Sequence, residues 1–283
     1  MRRPRKVDVR RRLADLALGL AELGHGGEKV IVLMYHAITD VPEEDPEQLT
    51  VSRDLLDDQM RWLKELGYKV LPLRAASAKL RAGTLDSSAV VLTFDDGYRS
   101  VYTHAFPVLQ RHRYPATVFL VPGVQSGTYP RDFMPERLGP LLSWPEAREM
   151  LRYGVTFGAH GLTHRKLSRL ADHEVVREVE ESKRAIEDAL STDVTEFCYP
   201  FGSFDSFTDA TETIVGRFGF AAVCATIAGH NTRPEDVRRL KRLRISWADD
   251  SMREIRKQCR GAYNWYAWYQ RVGALGLPAP RRA

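Results

Sequence analysis

The sequence predicts an α/β fold, a closed or nearly closed parallel barrel of about seven strands joined by crossover helices. Three observations predict it. Short apolar runs alternate with stretches of helical periodicity along most of the 283 residues. Those runs are apolar throughout, as strands buried on both faces are. The polar clusters fall directly after such runs, at strand ends, where parallel barrels keep their chemistry. The length suits one large domain or at most two small ones. A hydrophobic fraction of 43% and a charged fraction of 28% are those of an ordinary globular protein.

Residues 29–35, after Gly26 and Gly27, are expected to form the first buried strand. Residues 40–47 are acidic, contain proline and read as a loop. Residues 52–66 carry Leu55, Leu56, Met60, Leu63 and Leu66 on one side of a helix, and Gly67 closes it. Residues 68–73 and 89–94 are the next strands, the latter running into Asp95, Asp96 and Gly97. A helix over 102–111, a strand over 116–121, an irregular lid or rim over 132–140 and a helix over 144–153 follow. The strand at 155–159 ends at His160, and Asp172 reads as the N-cap of a long amphipathic helix to Leu190. Short strands at 197–199, 220–226 and 244–247 complete the pattern.

The formal charge is +5, and the excess lies at the ends: residues 1–12 hold six Arg and one Lys against one Asp, and Arg281 and Arg282 close the chain. Such ends can touch anionic lipid, nucleic acid or an acidic glycan, or stay solvated. No nucleic-acid module or aromatic-interleaved basic patch accompanies them, so no nucleic-acid partner is expected. Residues 13–23 are interrupted by Asp15 and Glu22 and lack a clean cleavage site. They read as an amphipathic helix that packs on the domain or lies on a membrane surface, not as a signal peptide. No stretch is long enough to span a bilayer. The three cysteines, Cys198, Cys224 and Cys259, are widely spaced and form neither a disulfide framework nor a CxxC site. The expectation is a protein that is cytoplasmic or peripheral at the membrane. The aromatic stretch 261–269 is expected to pack on the barrel or to meet a partner or a membrane interface.

Asp95 and Asp96 end a buried strand, where adjacent carboxylates need a cation or hydrogen-bond donors nearby. One can bind a metal while the other stays free as a base; a plain turn fits the same residues. His160 and His164 have the spacing that puts two imidazoles on one side of a helical turn, within reach of one ion. Two His and one carboxylate leave open positions for water, which suits a catalytic metal. The turn of Pro200, Phe201 and Gly202 offers backbone N–H groups that an oxyanion could use, or is an ordinary loop.

Together, residues 93–97, 160–164 and 199–202 resemble, in order and rough spacing, the motifs of the polysaccharide deacetylases, the NodB-like carbohydrate esterases. Residues 32–36, 59–63, 67–72 and 115–120 are similar to the branch that includes poly-N-acetylglucosamine deacetylases. The resemblance covers roughly residues 29–262. It leaves 1–28 as a basic, amphipathic extension and 263–283 as an aromatic, then basic, tail. It implies a distorted (β/α) barrel of the NodB-homology type. The substrate would be an N-acetylated glycan or amino-sugar conjugate that loses its acetyl group. By the same resemblance, Asp96, His160 and His164 would hold a divalent metal, zinc by default, with Co2+, Ni2+ or Mn2+ as alternatives. Asp95 would be the general base, Arg242 (chosen over Arg244) its support, and the Phe201 N–H an oxyanion donor.

Two departures stand out. Gly161 replaces the family's Ser or Thr after the first histidine, and the late Leu-x-His that supplies a general acid is missing. His230 is the nearest candidate for that acid and His36 the second. His36, Tyr199 and Trp144 are candidates for contact with substrate. Phe204 and Trp247 could stack on sugar rings or belong to the core. Two other readings share the scaffold: a deformylase or other amide hydrolase on a lipid-linked or small-molecule substrate, and a carbohydrate-binding relative without activity.

Overall fold

In the computed structural model of the chain, which describes residues 11, 13–15, 17, 27–40, 45, 47–131 and 134–274, the apolar runs pair in parallel. The strands are β1 (Val30–Tyr35), β2 (Ala37–Thr39), β3 (Thr50–Ser52), β4 (Lys69–Val70), β5 (Ala89–Phe94), β6 (Ala116–Leu120), β7 (Val155–Ala159), β8 (Glu196–Cys198), β9 (Ala222–Cys224) and β10 (Arg242–Arg244). The main sheet runs β10-β1-β5-β6-β7-β8-β9, with β4 paired to β5, while β2 and β3 pair apart. A parallel bridge between Cys224 and Leu240 brings its two ends together. The result is the expected barrel-shaped, nearly closed sheet. Around it lie α1 (Arg53–Glu65), α2 (Leu73–Ala82), α3 (Phe106–His112), α4 (Pro122–Gln125), α5 (Trp144–Arg152), α6 (Asp172–Leu190), α7 (Asp209–Gly216), α8 (Met252–Arg260) and α9 (Tyr266–Ala274).

Period-two alternation along each strand sorts the side chains. Ile31, Leu33 and Tyr35 of β1, Val90, Leu92 and Phe94 of β5 and Phe197 of β8 join the large apolar cluster under the helices, with Leu56, Met60 and Leu63 of α1. Their neighbours Val30, Val32, Val91, Phe119, Cys198 and Cys224 form a second cluster in the barrel interior, completed by Leu73, Ala76 and Leu80 of α2. Continued to the strand ends, the same alternation turns His36, Asp95, His160 and Arg242 inward.

Several elements differ from expectation. The strand expected over 68–73 shortens to β4 because Pro72 caps α2; proline has no N–H for the ladder. Asp172 is the first residue of α6, and Glu174 reaches back to accept from the N–H of Ala171. The last strand lies two residues earlier than expected, with Arg242 opposite Val32. α2, α4, α7, α8 and α9 were not expected as helices, nor β2 and β3 as strands.

Among the described N-terminal residues, Arg11, Leu13–Asp15 and Ala17 are helical, and Ala14 is fully buried. Arg11 pairs with Asp250, and Asp15 with Arg253 and Lys257. The arginine-rich residues 1–10 and the basic end lie outside the described residues. At the other terminus, α9 packs on the barrel through Gln270, whose side chain bonds Thr226 O and Ala228 N at 2.8 Å each. No helix among the described residues is long and apolar enough to cross a membrane.

His230 sits at the wrong end of the barrel for a general acid. Its neighbour Asn231 bridges Val30, where β1 begins, whereas the polar strand ends lie beyond Tyr35. Six strand residues separate the two ends, roughly 20 Å at ~3.3 Å per residue. Residues 225–231 run back down the barrel after β9, which proximity to a motif in sequence does not reveal. His230 is buried and donates from Nε2 to Gln258 O at 2.8 Å.

Two predictions follow from these placements. Gly158 of β7 lies against Phe119: a Cβ there would stand 2.6 Å from two ring carbons and 2.9 Å from Glu196 O. Gly158→Ala should therefore cost about 1–3 kcal/mol, read as a lower urea midpoint at constant m-value. An unchanged midpoint would mean that the ring yields freely. Burial pushes the His230 imidazole down to about 4, so the unfolded chain binds the extra proton first as pH falls. Its stabilising contribution is full above about pH 6.5 and is lost as pH falls towards 4. His230→Gln should flatten that part of the stability profile; an identical slope in the variant would exclude His230 as its source.

Candidate active site

β5 delivers Asp95 into the barrel two residues after the inward-facing Thr93. Asp95 is 2% exposed and meets Arg242 of β10 in a bidentate pair, Nη1 to Oδ1 and Nη2 to Oδ2, each 2.7 Å. Arg242 is fixed in turn by Ala225 O at 2.9 Å, Thr93 Oγ1 at 3.3 Å and Cys198 Sγ at 3.0 Å. Burial alone would raise the Asp95 carboxyl, but the charge and hydrogen bonds of Arg242 outweigh it and hold the group below its ordinary range. Arg242 rises for the matching reason, Asp95 overcoming the cost of its burial.

Asp96 is turned out of the strand by a left-handed backbone, φ 71°. That rotation carries its carboxylate away from Arg242 and towards two imidazoles. Asp96 Oδ1 stands 3.6 Å from His160 Nε2 and 3.4 Å from His164 Nε2. All three residues are buried, and their donor atoms lie within 4.8 Å of one another. Ligand atoms ~2.0–2.1 Å from one tetrahedral zinc stand roughly 3.3 Å apart, so the spacing fits one such ion. His160 donates from Nδ1 to Cys198 O at 2.7 Å, which leaves its Nε2 lone pair aimed at Asp96. Opposed to the cost of burial, the His164 hydrogen bond and the charges of His164, His36 and His160 hold Asp96 far below the carboxylate range. Burial pushes His160 down to about 4, in keeping with a neutral ligand.

The two histidines do not share a helical turn, as their spacing suggested. Residues 160–164 form an irregular loop in which Gly161 has φ 74° and His164 φ 61°. Phe201 is left-handed too, φ 61°, and centres a tight turn in which Gly202 N–H donates to Pro200 O at 2.7 Å. Its ring, 43% exposed, covers the His164 ring at 4.7 Å between centroids. A hollow of about 910 Å³ opens beside them, lined by His164, Phe201, Tyr129, Arg169 and Arg177 among others. His36, next after β1, is partly exposed; its Nδ1 is buried without a hydrogen-bond partner, and burial holds its imidazole below the usual range against the charges of Asp96 and Asp95.

Two expected substrate contacts lie elsewhere. Tyr199 is 1% exposed and faces the helix layer, stacked on Phe207 at 4.3 Å. Its neighbour Cys198 points inward, so alternation sends Tyr199 outward. Trp144 is half-buried at the start of α5 and lines a groove with Glu181, Arg184 and Asp188 of α6, which adjoins the hollow beside His164 through Tyr129 and Leu162. Conversely, Thr93, Cys198 and Glu178 help build the site and were not anticipated. Glu178, an acid on the buried stripe of α6 with Val175, Val179 and Ser182, was the one with a signal in the pattern.

Comparison with known proteins agrees with this geometry. Residues 82–223 match the family model for polysaccharide deacetylase. YxkH of Bacillus subtilis (strain 168), a polysaccharide deacetylase by name, is 27% identical over 219 residues, 77% of this chain and 72% of that protein. The poly-beta-1,6-N-acetyl-D-glucosamine N-deacetylase of Staphylococcus aureus (strain MSSA476) is 23% identical, over 54% of each protein. Among solved structures, the Streptococcus pyogenes deacetylase PplD in complex with acetate is similar, with a TM-score of 0.71 and 25% identity over 83% of this chain and 99% of that one. With half its length matching the family model and the barrel shared with PplD, the chain belongs to the polysaccharide deacetylase family.

Proposed function

We propose that this protein is a metal-dependent hydrolase that removes the acetyl group from an N-acetylated sugar of a glycan or amino-sugar conjugate. One observation carries the reading: two adjacent carboxylates sit in opposite environments, Asp95 in the grip of Arg242 and Asp96 facing two imidazoles. The relative from Staphylococcus aureus, named for poly-beta-1,6-N-acetyl-D-glucosamine, supports an acetylated amino sugar as substrate.

Asp96, His160 and His164 would hold a divalent ion, zinc by the match of nitrogen and oxygen donors (Co2+, Ni2+ or Mn2+ otherwise), which when bound polarises a carbonyl and acidifies water. In this reading Asp95 takes the proton of the attacking water. Arg242 keeps Asp95 ionised and fixes its plane, leaving the remaining oxygen lone pairs free to accept. The Phe201 N–H would donate to the oxyanion that forms as the carbonyl is attacked. Collapse breaks the C–N bond, acetate departs, and the sugar amine takes a proton. With His230 at the far end, His36 is the remaining candidate to give that proton; burial makes its imidazole harder to protonate, and the charges of Asp96 and Asp95 oppose that effect. Contact with an anionic membrane is a separable part of the reading, supported by Trp268, 64% exposed on α9, a helix with no buried residue.

Acetate release and bound metal should be measured together on the wild type and two variants. Asp95→Asn should keep the metal and lose about 10²–10⁴-fold in rate; His164→Ala should lose both. Formate in place of acetate from a mixed N-acyl sugar panel, or full activity in Asp95→Asn, would overturn the reading. For the membrane part, sedimentation with anionic vesicles should weaken in Trp268→Ala, and no binding by the wild type would end it.

A further inference from the structure

The loop that carries His164 is wrapped around one buried carboxylate. Glu178 of α6 is 1% exposed. Its Oε2 accepts from the Thr163 N–H at 2.9 Å, and its Oε1 from Thr163 Oγ1 at 2.5 Å and Arg165 Nε at 3.2 Å. The residues on either side of His164 are thus tied to the same group. Arg165 is pinned a second time by Glu174, at 3.1 Å. From the opposite side, a Cβ on Gly161 would stand 3.1 Å from Glu178 Oε2 and 3.1 Å from Pro200 Cγ, so the carboxylate fills the space that a side chain at 161 would need.

His164 holds a left-handed backbone, φ 61°, which a non-glycine residue keeps only where its surroundings over-determine it. Backbone and side-chain ties at 163, a guanidinium tie at 165 and the filled space at 161 supply that over-determination, and all meet at Glu178. We propose that Glu178 is a positioning residue whose carboxylate holds His164 in this conformation, so that its Nε2 faces Asp96 and His160. The proposal rests on the reading of His164 as a metal ligand. It adds that the affinity of the site is set from α6, by a group that touches neither ion nor substrate.

A helix-to-loop staple of purely structural worth would lower stability and leave the site's affinity alone, so the test reads both. Zn2+ affinity is measured by chelator competition on the full chain, wild type against Glu178→Gln, with the absorption spectrum of the Co2+-loaded protein and the thermal midpoint of the metal-free one. The expected result is about 10–100-fold weaker Zn2+ binding and a changed cobalt spectrum. Unchanged affinity and spectrum with a lowered midpoint would overturn the proposal. If Glu178→Gln does not fold, the double variant Thr163→Val, Arg165→Ala decides: weaker Zn2+ binding supports the role and wild-type binding refutes it. A wild type that binds no Zn2+ or Co2+ would defeat the functional reading itself, and this inference with it. Tight wild-type binding that Glu178→Gln leaves unmoved defeats this inference alone.

Discussion

The buried pair of Asp95 and Arg242 is the constraint around which the barrel is arranged. An isolated carboxylate or guanidinium in that interior would be costly, and removing one partner strands the other. The guanidinium is therefore fully engaged, by Asp95 of the β5 end, Thr93 of β5, Cys198 of β8 and the carbonyl after β9. One side chain from the last strand thus ties together both halves of the sheet. The same pairing keeps Asp95 ionised and engages both its oxygens, although they still lie within 4.8 Å of His160 and Cys198.

At the mouth, three non-glycine residues take left-handed backbone conformations: Asp96, His164 and Phe201. Gln48, Arg113 and Ser191 do the same; at Arg113 and Ser191 the conformation ends a helix. The mouth residues end no helix; each turns a side chain or an N–H that its strand would otherwise have aimed elsewhere. Strain of this kind gathers at functional sites and needs compensation nearby. For His164 the compensation is visible in the hydrogen bonds of the flanking residues to Glu178.

The barrel was legible in the sequence because fully buried parallel strands are apolar runs of the right length, and eight of the ten strands fall in or beside such runs. The partnership of Asp95 and Arg242 was also accessible, through the resemblance of motifs. What could not be read was direction. The spacing of His160 and His164 satisfies a helical turn and an irregular loop equally well, and only the φ values of Gly161 and His164 distinguish them. Tyr199 opens a motif but takes the outward half of the strand's alternation; both faces of β8 are buried, so composition does not separate them. His230 follows the end of β9 in sequence, yet the chain doubles back to the start of β1. Pattern reports which residues are near a strand end; it is silent on which end.

The order of these parts along the chain has a consequence for biosynthesis. Asp96, His160 and His164 all lie in the first three-fifths of the polypeptide, whereas the cation that neutralises Asp95 comes 147 residues after it. A ribosome delivers the three candidate ligands well before it delivers Arg242. Until then Asp95 lacks its buried counter-charge and is stable only while hydrated, and the seam beside β1 is open. Completion of the last strand removes both defects in one event.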